Sequence, residues 1–478
     1  MFDASRAEAV FSAALTFASP RVLDPVTAQV LALWGLHGIT ALDPALTTAV
    51  HGGHLQLAFG TRLLFDRPAP PAGDARAWGR DAADIEDAAF AQSAILRAAG
   101  TQGLIQGFFD EMFNHLDPYS RYEPPSPAEA ERTKLSVDAS AGLGLVVRGH
   151  GVVVGDVVPD GPGQQARMRV GDRIISVGGM RARASQIDQL RAALSGPDGR
   201  QVSLRVRGLD GIYRDVMLTL AYVPPETVFT ERRGTMLCIR ITSFTSNTAE
   251  RLSEAIEAGL ASRPPPAAIV VDLRGNRGGL LRQAVTSVAL LADHGVIAST
   301  AGRDPEAAHD WRIDGGDLTH GLPVVVLVDG RSASAAEIMA AALADLGRAV
   351  VVGSATLGKG LVQTITRLPD GGELFVTWSR VLAPRGWPIQ ALGVMPQICT
   401  SWGALKSAHA LNDLLDGHED MQHALAASRA ARAPLPVDRA LDIRSACPAA
   451  EGTDTDMLVA KFLADHPAAY RAALIPAL

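Results

Sequence analysis

The chain has 478 residues, a formal charge of −7 and 47% hydrophobic residues, and at the usual ~100–200 residues per domain it holds about three domains. Lys and Arg form no dense basic block, which argues against a nucleic-acid partner. No apolar run approaches the ~18 residues of a membrane-spanning helix, and three cysteines are too few for a disulfide scaffold.

Residues 1–22, MFDASRAEAVFSAALTFASPRV, contain a short apolar stretch, but Asp3 and Glu8 stand where a secretory leader carries basic residues, so it is not read as a leader. Residues 1–135 read mostly as helices joined by loops, with a Pro-rich break at 67–73. HGGH at 51–54 has metal-binding residue types, but no metal is assigned to it. GLHGITALDP (35–44) and GLIQGFFDEMFNHLDP (103–118) echo each other as a weak repeat.

Near Leu135 the hydrophobic period changes. Residues 143–147 and 152–158 read as strands around the turn Arg148, Gly149, His150 and Gly151. A short helical pattern, the segment VGDRIISVGG (170–179), a helix at 185–195 and strands at 201–207 and 213–220 follow. This β-rich unit, 136–223, is closed by Pro224 and Pro225. From 226 strands alternate with helices. The continuous apolar runs 267–273 and 324–328 predict strands covered on both faces. Each leads through a turn into a helix, 280–293 and 334–346, the second stopped by Gly347. A third strand is 349–352, β pattern returns after Gly360, and the Ala-rich tail from 401 reads as helical. Cys238, in MLCIRI, reads as a core residue. Cys399 and Cys447 lie in polar loop sequence, either free or bridged, and a bridge implies an oxidising compartment.

The stretch VVGSATLGKGLVQT (351–364) carries two incompatible patterns. Gly353, Gly358 and Lys359 fit a phosphate loop, but Gly360 stands where the magnesium-holding hydroxyl belongs, and strand composition follows where a helix is required. The other reading makes Lys359 a base. A lysine serves so when apolar surroundings bring its pKa toward ~7–8, and Leu357, Leu361 and Val362 flank this one. Upstream, VVVLVDGRSASAAEI sets Ser332 and Ser334 at a strand-to-helix junction. Ser332 reads as a helix cap. Ser334 has a further chemical use, because unpaired N–H groups of the first helical turn stabilise a developing oxyanion. His294, His309 and His320 sit in loop-like or solvated sequence and offer no partner, whereas Ser–Lys pairs are a known form of nucleophilic hydrolase chemistry. Gln363, four positions after Lys359, is placed to orient the amine.

Taken together, these residues resemble the carboxyl-terminal processing (tail-specific) serine peptidases. LDPYSRYEPP (116–125) is similar to the family's LDPxSxY segment, GLGLVV with the following VVVGDVVPDGPGQQARMRVGDRIISVGG to its PDZ core, VVDLRGNRGG (270–279) to DLRxNxGG, SASAAEI (332–338) to the nucleophile segment and GKGLVQT to the base segment. Lys359 follows Ser334 by 25 positions, the family's spacing. The resemblance implies a mixed α+β fold, a crotonase/Clp-protease-like ββα core over 224–400 with an inserted PDZ domain and helical N- and C-terminal regions. It implies Ser334 as nucleophile, Lys359 as base, Gln363 beside it and Asp345 in support. The oxyanion hole would be the N–H of Ala335 with that of Gly278, preferred over Gly279, and Gly142, Leu143 and Gly144 would receive a peptide's terminal carboxylate. No cofactor or metal is implied. The expected partners are proteins or peptides with unstructured C-terminal tails, in the periplasm or cell envelope. Arg277, Leu357 and LGVMPQI (392–398) depart from the family pattern without touching the dyad. Regions 1–75 and 401–478 have no assigned counterpart, and homodimer or adaptor contacts or gating of the cleft are expected of them. A catalytically silent PDZ scaffold that only binds tails is the rival reading, and an NTPase the second.

Overall fold

The uninterrupted apolar run Val324–Val328 lies inside a six-stranded sheet ordered Val228–Arg233, Met236–Ile241, Ala268–Asp272, Val324–Val328, Ala349–Gly353 and Ile398–Cys399. The first two strands are antiparallel and all later neighbours parallel. Val324, Val326 and Val328 face one core, shared with Met339 and Leu343 of the helix Ala335–Asp345. Val325 and Leu327 face another, filled by Val459, Leu463 and Tyr470 of the C-terminal helices. Burial on both faces is why the run lacks polar alternation, and each buried valine contributes about 1.5–3 kcal/mol relative to exposure. The structure is a computed structural model, and it describes residues 2–126, 139–149, 151–158, 161–222, 226–415 and 421–476.

Every residue of the helix Ala335–Asp345 is buried, as expected of a helix apolar all round. It ends where predicted: Gly347 N–H donates to Ala344 O and Arg348 N–H to Leu343 O, the paired bonds of a Schellman stop. The C-terminal region is helical, as read, with five helices among the described residues, including Ala404–Leu415, Gln422–Ala430 and Asp454–Asp465. Cys399 and Cys447 are joined in a disulfide, and Cys238 is a buried free thiol.

A second sheet is ordered His309–Asp314, His294–Gly302, Glu373–Leu382 and Leu361–Arg367. Arg121–Glu123 pairs with the first residues of Glu373–Leu382, which brings LDPYSRY onto the sheet that also carries Gln363.

The N-terminal reading needs one correction. Residues 46–68 form a three-stranded antiparallel sheet, Leu46–His51, His54–Phe59 and Arg62–Pro68, rather than helices and loops. Leu46, Leu55 and Leu57 point inward with polar residues between them, a period of two that the short strands hid among helical neighbours. HGGH is their hairpin turn, with His51 opposite His54 and His54 bonded to Asp66. Among the described residues no cluster of three metal-ligating side chains occurs. The echoing segments end in matching turns: the Asp43 carboxylate accepts from Ala45 N–H and that of Asp117 from Tyr119 N–H.

The chain divides into two units, Glu129–Glu226 and the remainder. The smaller holds an antiparallel sheet ordered Tyr213–Thr219, Gln201–Arg207, Arg173–Val177, Gly151–Val157 and Leu143–Arg148, with the helix Ile187–Ala193. The expected unit boundaries at 135/136 and 223/224, the closing pair Pro224 and Pro225, and His150 of the first turn lie outside the described residues. Among the described residues no helix is long and apolar enough to cross a membrane.

Candidate active site

Ser334 caps the helix Ala335–Asp345 with φ 56° and ψ −117°, a region a serine rarely occupies and that costs on the order of 1–3 kcal/mol. The surrounding loop holds it there. Ser332, read as a helix cap, instead pins the loop to the end of the neighbouring strand. Its hydroxyl donates to Leu273 O at 2.8 Å and accepts from Asp329 N–H at 3.0 Å. One Asp329 carboxylate oxygen accepts from the N–H groups of Gly275, Arg331 and Ser332. Burial pushes that carboxyl up, but backbone donors outweigh it and hold it below the ordinary aspartate value.

The DLRGNRGG segment shapes the opposite wall. Arg274 grips Asp272 with two bonds, at 2.7 and 2.9 Å, and reaches Asp456 of the C-terminal helices at 2.9 Å. Fully buried Asn276 donates to Ile241 O at 2.8 Å and accepts Gly278 N–H at 2.8 Å, while its own carbonyl accepts Ala333 N–H. Gly278 has φ 96°, and a Cβ there would stand 2.8 Å from Ser334 Cβ and 2.9 Å from Ala335 N. Only glycine lets the turn lie this close to the serine.

That geometry changes one expected role. The Gly278 N–H, expected in the oxyanion hole, is already bonded to Asn276 and cannot donate to a substrate without breaking that bond. Gly279 N–H and Ala335 N–H have no hydrogen-bond partner among the described residues, and Gly279 is exposed. The free pair of donors is therefore Ala335 with Gly279.

Lys359 lies in a loop, with the strand Leu361–Arg367 following it, so no helix N-terminus faces a phosphate and the NTPase reading fails on geometry. A Cβ on Gly360 would stand 2.4 Å from Gln390 N, so this glycine is fixed by close backbone approach. Lys359 Nζ stands 5.4 Å from the centre of the Tyr119 ring, a cation–π distance. Leu357 is exposed and Lys359, Leu361 and Val362 only partly buried, so the apolar surroundings expected of the amine are partial. Among the described residues no hydrogen bond joins Lys359 Nζ to Ser334 Oγ. Gln363 bonds Thr377 Oγ1 at 3.0 Å instead of the lysine, and Thr377 in turn donates to Asp117 of LDPYSRY at 2.7 Å.

What brings the two segments together is a residue to which the sequence reading gave no role. The fully buried carboxylate of Glu337 accepts Ser334 N–H at 2.8 Å and Lys359 N–H at 2.9 Å on one oxygen, and Gly358 N–H at 2.6 Å and the Thr356 hydroxyl at 2.5 Å on the other. Burial pushes its carboxyl above the ordinary glutamate value, and these four donors pull the other way. The signal in the sequence was a glutamate three residues after an N-cap serine, the capping-box spacing. Asp345, eleven residues after Ser334, is buried rather than exposed. It accepts Trp387 Nε1 at 2.7 Å and Arg429 Nε at 2.9 Å. His294, His309 and His320 are exposed. In the smaller unit, Gly142, Leu143 and Gly144 lie at the start of the edge strand Leu143–Arg148. Gly142 N–H donates to Ser140 Oγ at 3.2 Å, and Arg191 of the helix Ile187–Ala193 donates to Leu145 O at 2.9 Å.

Comparison with known proteins accounts for both units. Peptidase family S41 matches residues 235–400 and a PDZ domain residues 153–208. The carboxy-terminal-processing protease of Bartonella bacilliformis is 32% identical over 62% of this chain and 69% of its own length. The carboxy-terminal processing protease CtpA of Bacillus subtilis is 31% identical over 62% of this chain and 63% of its own. Among solved structures, a photosystem II D1 C-terminal processing protease is 27% identical, covering 77% of this chain and 92% of that one at a TM-score of 0.41. The chain belongs to the carboxy-terminal processing proteases of Peptidase family S41, serine peptidases with a PDZ domain.

Proposed function

We propose that the chain cleaves proteins presented by an unstructured C-terminal tail, using Ser334 and Lys359. The observation that carries this reading is the shared Glu337 carboxylate, to which the backbone N–H groups of both residues donate. Both backbones are anchored to one oxygen, the pair would close by rotation of the lysine side chain toward Ser334 Oγ, and unliganded sites commonly hold such pairs apart until substrate closes them. Lys359 as the free amine takes the Ser334 proton while Oγ bonds to the scissile carbonyl carbon. The resulting oxyanion is held by the N–H groups of Ala335 and the glycine turn, worth about 10²–10³ in turnover per donor. Collapse breaks the C–N bond, the lysine returns the proton to the leaving amine, and water releases the acyl group from Ser334. Gln363 and Asp345 act through the structure around the pair, Gln363 through Thr377 and Asp117, Asp345 through the far end of the helix.

The tail is received by the smaller unit. Among the described residues its edge strand Leu143–Arg148 has one unpaired side for β-augmentation, and the backbone at Gly142, Leu143 and Gly144 would receive the terminal carboxylate once Gly142 N–H leaves Ser140 Oγ. The Cys399–Cys447 bridge suits an oxidising compartment, the periplasm or cell envelope. The test is incubation of wild type, Ser334→Ala and Lys359→Ala with a disordered test protein, followed by mass spectrometry of the fragments. Both variants are expected to lose nearly all cleavage, and labelling of wild type but not Ser334→Ala by a fluorophosphonate is expected. Wild-type fragments from Lys359→Ala would reject the assigned base, and failure of wild type to label or cleave would favour a tail-binding scaffold.

A further inference from the structure

The C-terminal helices and the sheet edge enclose a cavity of about 780 Å³, within the usual ~300–1,000 Å³ of small-molecule sites. It is separate from the peptidase site. Two of its wall residues, Arg385 and Arg429, meet Asp345, the last residue of the helix that Ser334 begins. A helix of that length spans about 16 Å. The wall is largely apolar, with Leu414, Met421 and Leu425 among its residues. It carries the cations Arg385, Lys406 and Arg429, and among the described residues no acidic side chain lines it.

The charges at one end do not balance. Asp345 is a single buried carboxylate facing two guanidinium groups: it accepts Arg429 Nε at 2.9 Å, and Arg385 Nε stands 4.0 Å away. The Arg429 side chain is only 9% exposed, and both of its Nη atoms, with Arg385 Nε, are buried without a hydrogen-bond partner among the described residues. Each such orphan costs about 1–3 kcal/mol, more when charged, and native proteins rarely leave them. Burial lowers the Arg429 pKa against the pull of Asp345, the sign of a cation short of counter-charge. The missing partner is an anion with two acceptor oxygens for the Arg429 fork and a chain for the apolar wall.

We propose that this cavity binds a small monocarboxylate with an apolar tail, its carboxylate on Arg429 and Arg385 and its tail along Leu414, Met421 and Leu425. The test is calorimetric titration of the full chain with decanoate below its micellar concentration, and with decan-1-ol. Decanoate is expected to saturate one site at least tenfold more tightly than the alcohol. Arg429→Met is expected to reduce decanoate to the alcohol's affinity, and Ala426→Trp, which narrows the cavity from a wall position, to weaken it at least tenfold with the melting temperature retained. Equal affinity for acid and alcohol, no saturable decanoate binding, or an unaffected Ala426→Trp would each overturn the proposal. The ligand pair tests the charge without any substitution, so the outcome does not depend on Arg429→Met folding.

Discussion

Glu337 gathers four donors onto one buried carboxylate, and those donors come from both the Ser334 and the Lys359 segments. It is a positioning residue. Glu337→Gln retains its shape but turns one acceptor oxygen into a donor aimed at other donors. With bonds to a charged group worth about 1.5–3 kcal/mol, kcat/KM is expected to fall about 10–100-fold, measured on an unstructured peptide. A second readout separates this from simple loss of packing. Because burial raises the Glu337 carboxyl above its ordinary value, the folded chain holds that proton more tightly than the unfolded one. Ionising it subtracts stability as pH rises from the ordinary glutamate range to the raised value. Glu337→Gln should remove that slope from the unfolding free energy measured against pH, and an unchanged slope would show that the carboxyl does not titrate as described. At this scale motif and spacing single out Ser334 and Lys359 as the proposed pair, whereas Asn276 and Glu337 were visible only as letters of a motif. Their work is done in bonds to backbone N–H groups, which leave no periodicity in a sequence.

The strands that carry the site were legible because burial on both faces forces an uninterrupted apolar run, and the helix stop at Gly347 because its chemistry is local. The hairpins at 46–68 were not, since only Leu46, Leu55 and Leu57 mark their inward faces and no uninterrupted apolar run does. The C-terminal helices were read as helices, but what they cover was not. Val459, Leu463 and Tyr470 seal one face of the central sheet, and the Cys399–Cys447 bridge ties its edge strand to this region across 48 residues. Closing a loop of that length is worth about 4 kcal/mol in the chain-entropy account, with typical measured values of about 2–4. The double variant Cys399→Ala/Cys447→Ala is therefore expected to lower the unfolding free energy by about 2–4 kcal/mol in urea, and an unchanged midpoint would show that the bridge adds nothing to the covering helices.

As a whole, the molecule joins a peptidase unit to a PDZ unit inserted between residues 128 and 227. If tails enter through the smaller unit, the terminal carboxylate of the substrate matters even though it is remote from the cleaved bond. A peptide substrate with an amidated C-terminus is expected to be cut with kcat/KM about 10–100-fold below the free acid, the worth of hydrogen bonds to one charged group. Equal rates would remove the PDZ unit from substrate selection. The sequence by itself determined the family, the order of the two units and the strands of the central sheet, and it singled out Ser334 and Lys359 as the proposed pair, because motif letters, spacing and burial patterns are written along the chain. Only the tertiary structure decided that Asn276 occupies the Gly278 N–H, that Glu337 joins the Ser334 and Lys359 segments, that Asp345 is buried against Arg429, and that a pocket carrying Arg385, Lys406 and Arg429 lies among the C-terminal helices. Each of these depends on which donor meets which acceptor across distant segments, a matter of three-dimensional approach that no local pattern encodes.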